Sequence, residues 1–509
     1  MHDTHFTVTT YSHHFEVSKL TPRGREFCVQ FTRQFLAWGF RMERGRGVRF
    51  LAKVYAAANA QRTYYRFHIN KLAEFKERAT EAGFGPTLIA WKDGPEFNPT
   101  LVSLPVRDKW VPRDYQDAFI DYLVKPLPVS KLIPLQTGKG KGLVASIAAS
   151  RIGYRVGIMV QSKYVLKWHA ELLEYYDIDP DKILIIEGSK SLMALFELAR
   201  EGRLDAHILI FSVDTLQRWL SSYEQIGDGI LSLGYACTPI NWFQHLGIGT
   251  RIVDESHQKF HLQFKLDMYT HVARSIDLTA TLITTDPFLA KMYEVKFPLV
   301  DRPKNLELDR YAHAFAVHFN FDNPNKIRTS ERGSNNYSHN ALEDSILAHP
   351  PTLKNYLTLV DKVLIEGYFQ HPREKKRAIV FASSVDMCTA MTEHFKKKYP
   401  HLDIRRYVGE DPYENAIEPD IRFTTNGSCG AAIDIPDLVC NILTQAISSI
   451  QANVQILGRL RKPTDGSDVR FYFFTADNIP KHVEYYVQKK EILEERAAHF
   501  KEIFMDIKV

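Results

Sequence analysis

The sequence predicts an α/β protein with two doubly wound domains in tandem, preceded by a small α+β domain. The chain has 509 residues, which is enough for three domains with sizeable cores. From residue 111 onwards, short apolar runs alternate with helical stretches, as is typical of buried parallel strands joined by crossover helices. A second series of the same kind begins near Arg377, so we expect the α/β fold twice.

The small N-terminal domain is expected over residues 1–108. Alternating apolar and polar residues around Phe6–Val17 predict strands, and the pattern from about Gly24 to Trp38 predicts a helix. An amphipathic helix is predicted over Lys71–Ala82, and a short strand over Thr87–Trp91. Together these elements predict a compact α+β unit.

Positive charge is concentrated in this N-terminal segment. Residues 1–110 contain 17 Lys and Arg against 10 Asp and Glu, whereas the net charge of the whole chain is +5. Arg/Gly-rich turns over Arg41–Arg49, next to aromatic residues, are suited to grip a phosphate backbone, and Arg44 and Arg46 are the candidate residues. An ordinary solvated basic surface explains the charge equally well.

The first α/β domain is expected over residues 109–300, and the second over residues 301–509 with a helix at its end. Between the two series, the polar segment Lys326–Asp344 predicts a flexible loop or insertion. The strands predicted for the first domain are Lys131–Leu135, Val156–Val160, Ile183–Ile186, Ile208–Phe211, Arg251–Val253 and Ser275–Leu278. Those predicted for the second domain are Ala378–Phe381, Asp403–Tyr407, Ile421–Thr424, Leu438–Leu443 and Val469–Phe474.

Composition excludes several kinds of protein. Hydrophobic residues make up 45% and charged residues 25%, the balance of a soluble globular protein. The five cysteines are scattered without a CxxC pair, which argues against a zinc cluster and favours a reducing compartment. Because no apolar run is long enough to cross a bilayer, we expect a cytoplasmic protein without a membrane partner.

A glycine-rich loop, Leu135–Gly142, follows an apolar strand and precedes the helical run Leu143–Arg151. Glycines let backbone N–H groups approach phosphate oxygens, the helix N-terminus adds partial positive charge, and Lys141 would reach the terminal phosphates. The loop departs from the usual pattern at Gly142, where a Mg²⁺-binding Ser or Thr is expected. An incidental Gly/Lys loop is the alternative. The candidate phosphate-binding residues are Thr137, Gly138, Gly140, Lys141 and Gly142.

An acidic segment, Asp254–His257, directly follows the predicted strand Arg251–Val253. Ligands of doubly wound sheets gather at the carboxyl ends of the strands. Asp254 is suited to hold Mg²⁺ and Glu255 to polarise an attacking water, while His257 would sense the phosphate. Taken alone, an acidic pair at a strand end is more often a helix N-cap.

With these two motifs in place, the chain resembles the superfamily 2 helicases and translocases over about residues 111–475. The resemblance implies two RecA-like domains and the cofactors ATP and Mg²⁺. Ser162–Glu171 resembles motif Ia, with a Leu-x-Trp-x-x-Glu texture similar to Swi/Snf-type translocases. The other residues it assigns in the first domain are Arg113 and Gln116 (adenine), Ser162, Lys163, Ser212 and Thr215 (nucleic acid), and Thr279 and Thr281 (coupling).

In the second half, Ile379–Ser384 resembles motif IV, and Gln455–Lys462 resembles motif VI. The resemblance implies that Arg459 is the first finger arginine and that Lys462 or the displaced Arg461 is the second. The residues assigned by the other matches are Gln455 (coupling), Thr424 and Thr425 of motif V (strand phosphates) and Asp434 of motif V (nucleotide), with Ala432 in place of a family glycine.

Within the superfamily, size and layout are most similar to the phage UvsW-type DNA helicases, and Phe67–Trp91 shares their helix-then-strand texture. This resemblance implies a DNA helicase or translocase, monomeric in the host cytoplasm, that acts on single-stranded, forked or branched DNA. Branch migration, fork regression and R-loop unwinding are the implied reactions. An RNA helicase, a duplex translocase without unwinding, and a non-hydrolysing nucleic-acid-binding protein are the alternatives.

Overall fold

The computed structural model describes residues 4–43, 46–59, 61–135, 138–279, 282, 284, 286–303, 310–331, 336–370, 376–428, 435–462 and 466–509. Two compact units divide the chain. One comprises Met1–Leu135 and Lys139–Leu306, and the other Gln136–Gly138 and Glu307–Val509. The predicted fold class is confirmed: a small α+β part precedes two parallel α/β sheets, and the first of these sheets shares a unit with the α+β part.

The N-terminal part combines a five-stranded sheet with a separate two-stranded ribbon. In the sheet, the strand order is β5-β6-β2-β1-β7, with β1 and β7 parallel and the other pairs antiparallel. In the ribbon, β3 and β4 pair antiparallel. The elements are β1 (Phe6–Thr10), β2 (His14–Ser18), α1 (Pro22–Thr32), β3 (Leu36–Glu43), β4 (Arg46–Val54), β5 (Ala57–Ala58), β6 (Tyr64–His68), α2 (Leu72–Glu81) and β7 (Ile89–Asp93).

Two predictions for this part are wrong in detail. The helix expected to reach Trp38 ends at Thr32, and Trp38 lies in β3. The Arg/Gly-rich segment expected to form turns is largely paired strand. At Gly39 an added Cβ would lie 2.7 Å from the Phe50 ring, so this glycine makes room for a neighbouring side chain rather than for a turn. Aromatic-rich segments carry both helical and strand patterns, and here the pairing of β3 with β4 decided between them.

The first parallel sheet has the strand order β10-β11-β9-β12-β13-β8, and every pair is parallel. The predicted strands are confirmed to within a few residues. They are β8 (Ser130–Ile133), β9 (Val156–Val160), β10 (Ile183–Ile186), β11 (Ile208–Ser212), β12 (Thr250–Val253) and β13 (Arg274–Leu278). The helices are α3 (Asp114–Val124), α4 (Lys141–Ile152), α5 (Val165–Tyr175), α6 (Ser189–Arg200), α7 (Val213–Ile226), α8 (Trp242–His245), α9 (Phe260–Asp267) and α10 (Pro287–Lys296).

The N-terminal part packs on this first α/β domain through one continuous core. The Tyr55 ring lies 5.2 Å from the Phe264 ring and 5.5 Å from the Phe288 ring, centroid to centroid. Nearby, the Asn70 side chain donates to the Val295 carbonyl oxygen at 3.0 Å. Removing the N-terminal part would therefore expose apolar surface of the first α/β domain.

The second unit is built on a sheet with the order β16-β17-β15-β18-β19-β14-β20, again parallel throughout. Its strands are β14 (Ala312–Asn320), β15 (Arg377–Ala382), β16 (Ile404–Tyr407), β17 (Ile421–Thr425), β18 (Leu438–Leu443), β19 (Val469–Ala476) and β20 (His499–Lys508). Its helices are α11 (His339–Leu347), α12 (Pro350–Gly367), α13 (Val385–Lys398), α14 (Glu414–Ile417), α15 (Ile450–Leu457) and α16 (Pro480–Arg496).

Two expectations for this unit need correction. The segment expected to be a loop, Lys326–Asp344, contains the start of α11. The Ser338 hydroxyl caps the N-terminus of this helix by accepting a hydrogen bond from the Ala341 backbone N–H. The expected terminal helix α16 is followed by β20, which pairs with β14. Alternation of half-buried and exposed residues along β20 is typical of an edge strand. Among the described residues, no helix has the length and apolar character that a membrane crossing requires.

Candidate functional site

The glycine-rich loop lies between β8 and α4. Gly138 and Gly140 have φ values of +83° and +76°, in the left-handed region that favours glycine. Lys141 is the first residue of α4, and its Nζ donates to the Leu135 carbonyl oxygen at 3.2 Å. The first N–H groups of a helix have no intrahelical acceptor, so this segment is suited to bind an anion. Thr137, predicted as part of the loop, lies outside the described residues.

Gln116 lies buried beside this loop, at the start of α3. Its Nε2 donates to the Lys139 carbonyl oxygen at 2.9 Å, and its Oε1 accepts from the Arg113 backbone N–H at 2.9 Å. A Cβ added to Gly140 would lie 2.5 Å from Gln116 Nε2, so this glycine is needed for the close approach. Gln116 therefore holds the loop in shape, a role that its sequence position did not reveal.

The acidic segment follows β12, at the same edge of the parallel sheet as the loop after β8. Asp254 accepts two hydrogen bonds: Oδ1 from the Glu255 backbone N–H at 2.9 Å, and Oδ2 from Trp168 Nε1 at 2.8 Å. The Trp168 contact was missed at the sequence level, although the Leu-x-Trp-x-x-Glu texture had drawn attention to this helix. Glu255 has a φ of +46°, an uncommon conformation for a residue other than glycine.

Burial raises the pKa of Glu255 to about 7, the nearby Lys141 opposes the shift, and Asp254 adds to it. Burial also lowers the pKa of His257 to about 3, with Lys141 acting in the same direction. Glu255 Oε2 lies 3.3 Å from His257 Nδ1, but a neutral imidazole forms no ion pair with it. This carboxylate oxygen is buried and has no hydrogen-bond partner among the described residues. The carboxylates are thus suited to meet a cation or a water.

His257 and Thr279, predicted to couple the acidic segment to the next strand, lie in contact. His257 Nδ1 is 2.6 Å from Thr279 Oγ1, and both side chains are buried. Thr279 directly follows β13, the sheet neighbour of β12. The contact links the ends of the two strands. Thr281, the other predicted member of this group, lies outside the described residues.

Residues at the carboxyl ends of β9 and β11, predicted to bind nucleic acid, form their own hydrogen-bonded cluster. Ser162 Oγ lies 2.8 Å from Ser212 Oγ and donates to Asp214 Oδ2 at 2.9 Å. Lys259 forms an ion pair with the same Asp214. Because Ser212 is buried, its hydroxyl serves this cluster.

Thr215 and Lys163 differ in what they offer to a ligand. Thr215 is buried, and its Oγ1 accepts from the Gly188 backbone N–H at 2.7 Å. Lys163 is exposed, with its Nζ 4.9 Å from the centroid of the neighbouring Tyr164 ring. Of these two, Lys163 alone presents a positive charge at the surface.

In the second unit, the predicted threonines are the last two residues of β17. Thr424 is buried and donates to the Tyr407 carbonyl oxygen at 2.6 Å. Thr425 Oγ1 lies 2.8 Å from Ser428 Oγ and accepts from the Ser428 backbone N–H, which fixes the turn after the strand. Asp434 and the rest of the glycine segment lie outside the described residues.

The predicted finger residues lie at the end of α15. Arg459 is buried, with its guanidinium 5.5 Å from the centroid of the Phe381 ring. Arg461 Nη1 donates to the Gly458 carbonyl oxygen at 2.8 Å, and Lys462 is exposed. Gln455 lies half-buried on α15.

For the predicted N-terminal contacts, Arg44 lies outside the described residues. Arg46 begins β4, and the description does not extend to its side chain. Among the described residues there is no group of three or more His, Cys, Asp or Glu side chains that could hold a metal ion.

No family model and no curated protein matches this chain. Among solved structures, the chain is similar to the helicase domain of Hef from Pyrococcus furiosus, with 14% identity, a TM-score of 0.43, and coverage of 75% of this chain and 99% of that one. It is also similar to T4 UvsW, with 12% identity, a TM-score of 0.35, and coverage of 98% and 99%. Both agree with the resemblance found in the motifs, but at these TM-scores they add no argument of their own.

Proposed function

We propose that this protein is an ATP-driven motor that moves on nucleic acid, a helicase or translocase of superfamily 2. One observation carries the proposal. A glycine loop ending in Lys141 and the carboxylates of Asp254 and Glu255 lie at the same edge of one parallel sheet, and Lys141 is close enough to act on the pKa of Glu255. Phosphate binding and water activation require these groups together.

In this proposal the loop N–H groups and Lys141 bind the phosphates of ATP. Asp254 holds Mg²⁺, which when bound would neutralise phosphate charge. Glu255 orients the attacking water, and its unpartnered buried oxygen is the acceptor. His257 and Thr279 pass the state of the site to the end of the neighbouring strand. Arg459, with Arg461 or Lys462, takes the finger role that stabilises charge on the transferred phosphoryl group.

For the nucleic-acid partner, the ribbon β3–β4 is the candidate contact in the N-terminal part. Residues 36–54 contain five Lys and Arg but one Glu. Trp38 and Leu51 face each other across the ribbon and are 46% and 45% exposed. The Arg49 guanidinium lies 4.5 Å from the centroid of the Trp38 ring. A basic ribbon with an exposed aromatic ring is suited to contact phosphates and to stack on a base.

The position of this ribbon supports the proposal that the motor acts on forked or branched DNA. Buried residues at its base, Phe35 and Tyr55, fix it to the protein, and the Tyr55 backbone N–H donates to the Phe35 carbonyl oxygen at 2.9 Å. A fixed basic ribbon next to the motor domain would hold a second arm of the substrate. The alternatives are an RNA substrate and translocation on duplex DNA without strand separation. Hydrolysis assays with different nucleic acids distinguish them from action on forked DNA.

The test is ATP hydrolysis with single-stranded DNA, forked DNA, duplex DNA or RNA. We expect Lys141→Ala and Glu255→Gln to lose nearly all stimulated hydrolysis, about 100-fold or more, with an unchanged unfolding transition. Lys139→Ala, which removes another lysine of the same loop, is the matched control and should keep most activity. Full activity in Glu255→Gln would reject the catalytic assignment, and binding of ATP by the wild type without hydrolysis would indicate a non-hydrolysing binding protein.

The same assay tests the ribbon. Trp38→Ala should weaken forked-DNA binding several-fold while hydrolysis without nucleic acid is unchanged. Trp91→Ala, which removes another exposed tryptophan of the N-terminal part, is the control. Point variants are preferable to deletion of residues 1–110, because deletion would expose the core under Tyr55. Equal affinity of Trp38→Ala and wild type for forked DNA would remove the ribbon from the proposal.

A further inference from the structure

Gly142 stands where the phosphate-loop pattern has a residue whose hydroxyl binds Mg²⁺. Gly142 is the second residue of α4. A Cβ added there would meet Glu171 Oε2 at 3.5 Å and Trp168 Cη2 at 3.7 Å. These are ordinary contact distances, so the position is lined by α5 rather than open. A hydroxyl at this position would have to lie against the indole and the carboxylate.

The indole that lies beside this position also donates a hydrogen bond to the proposed metal-binding carboxylate. Trp168 is 3% exposed and donates from Nε1 to Asp254 Oδ2 at 2.8 Å. The other oxygen, Oδ1, accepts from the Glu255 backbone N–H. Two donors in fixed positions leave the Asp254 carboxylate a single orientation.

The type of donor matters for a cation site. An indole N–H is neutral, so it orients the carboxylate without cancelling the negative charge that attracts the cation. Glu171, one turn after Trp168, is a second carboxyl group beside this position: burial raises its pKa, Lys167 opposes the shift, and Asp254 adds to it. A lysine or arginine in place of Trp168 would instead compete with Mg²⁺ for Asp254.

We propose that Trp168 is a positioning residue for Mg²⁺ binding, and that its indole compensates for the hydroxyl missing at Gly142 by holding Asp254 in its ligating orientation. This inference rests on the proposed ATP-dependent function and concerns the same site. It adds a residue that the motifs do not assign, and it explains how a glycine is tolerated at this position.

The experiment measures how binding of a non-hydrolysable ATP analogue depends on Mg²⁺ concentration, by calorimetry. In Trp168→Phe we expect the Mg²⁺ concentration for half-maximal binding to rise roughly 10-fold, because loss of a group that orients a metal ligand weakens metal affinity by that order. Binding of the analogue without Mg²⁺ should be unchanged.

The matched control is Trp110→Phe. Trp110 also donates from its indole, to the Glu174 carbonyl oxygen at 2.9 Å, and it packs on the same helix α5. We expect its Mg²⁺ dependence to stay within about 2-fold of the wild type. The double variant Gly142→Ser with Trp168→Phe restores a hydroxyl and frees the space for it, and should recover most of the Mg²⁺ affinity.

A second measurement avoids substitution at Trp168. The chain labelled with 5-fluorotryptophan has six fluorine resonances, one for each tryptophan. The Trp168 signal is assigned by elimination with phenylalanine variants of the other five. It should shift when Mg²⁺ is added to the analogue complex, while the Trp110 signal stays in place.

Three outcomes would overturn the inference. The Mg²⁺ dependence of Trp168→Phe could equal that of the wild type, or Trp168→Phe could lose as much analogue affinity without Mg²⁺ as with it. The third is a Trp168 resonance that does not shift when Mg²⁺ is added. Failure of the wild type to bind the analogue at any Mg²⁺ concentration would instead reject the proposed function itself. The two failures are therefore distinguishable.

Discussion

Each unit contains a buried cluster of ionisable side chains, and the two clusters are stabilised in opposite ways. In the first unit, the cluster around Asp267 pairs its charges. Asp267 accepts from Arg251 Nη2 at 2.7 Å and from Lys296 Nζ at 2.6 Å, and its side chain is inaccessible to solvent. Although burial alone would raise it, the pKa of Asp267 lies well below its usual value because of Lys296 and Arg251. This network connects the strand β12 that leads to Asp254 with the N-terminal part, through His68.

In the second unit, the buried cluster around Tyr337 keeps its ionisable groups neutral instead. Burial lowers the pKa of Lys489 to about 7 and that of His482 to about 3, and it raises the pKa of Glu343 to about 7. Tyr337 links two imidazoles: its hydroxyl lies 2.6 Å from His339 Nδ1 and 2.6 Å from His482 Nε2. The cluster is held together by neutral hydrogen bonds rather than by ion pairs.

The difference shows two ways to offset the cost of removing a charge from water. Pairing keeps both charges but makes the network intolerant of the loss of one partner. Neutralisation needs no partner but makes stability depend on pH. Variants of buried residues in each unit therefore test the comparison.

The largest effect is expected from Asp267→Asn. The amide leaves Arg251 and Lys296 buried with Asp277 as their remaining acidic partner, at 4.0 and 3.5 Å, and we expect the first unit to lose roughly 3–5 kcal/mol of stability at pH 7. All six tryptophans lie in the first unit, so urea unfolding followed by tryptophan fluorescence reports on it.

The control for this variant is Glu224→Gln, which removes a less buried acid paired with Lys265 and should cost about 1 kcal/mol or less. Because the folded pKa of Asp267 is lowered, its contribution is present above the unfolded pKa and is lost as pH falls. Wild type and variant should converge in acid, and an equal difference at pH 7 and pH 3 would contradict the pairing.

A smaller effect of opposite sign is expected from Lys489→Met. Below pH 7 the wild type carries a buried ammonium with its Nζ 4.5 Å from the centroid of the Phe473 ring, so we expect the variant to stabilise the second unit by roughly 2–4 kcal/mol at pH 6. Hydrogen exchange of β19 peptides measures it. Lys481→Met, on the exposed face of the same helix, is the control and should change stability by about 0.5 kcal/mol or less.

The lowered pKa of Lys489 makes the stability of the second unit depend on pH. Its folded pKa is about 7 and its unfolded pKa about 10.4, so the unfolded chain binds more protons between these values and wild-type stability rises with pH across this window. The advantage of Lys489→Met should therefore shrink above pH 7. An advantage that grows with pH would contradict a neutral buried lysine.

The smallest effect is expected from Glu343→Gln. Its carboxyl accepts from the Ser383 and Ser384 backbone N–H groups, and the amide nitrogen would face one of these donors, so we expect a loss of about 1 kcal/mol at pH 5. Because the folded pKa is raised to about 7, wild-type stability falls as pH rises from about 4.3 to 7, and the variant should lack this slope. Hydrogen exchange of β15 peptides, with the exposed Glu393→Gln as control, measures both.

Much of the fold could be predicted from the sequence because buried parallel strands are short apolar runs. Val156–Val160 and Leu438–Leu443 are strands with the bounds expected. The prediction of a helix reaching Trp38 was wrong, because the local pattern of this aromatic segment suits a helix and a strand alike. Roles assigned to Asp434 and Thr281 concern residues outside the described part of the chain, so they remain predictions.

The candidate site likewise contains residues that the sequence predicted and residues that only the structure revealed. Sequence by itself placed Lys141 and Asp254 at one edge of a sheet, because strands that run parallel bring their carboxyl ends together. Tertiary structure alone decided which side chains support them. The indole that holds Asp254 comes from 86 residues earlier in the chain. Hydrogen bonds over such separations leave no periodic pattern in the sequence, so packing alone reveals that Trp168 lies beside Gly142 and donates to Asp254.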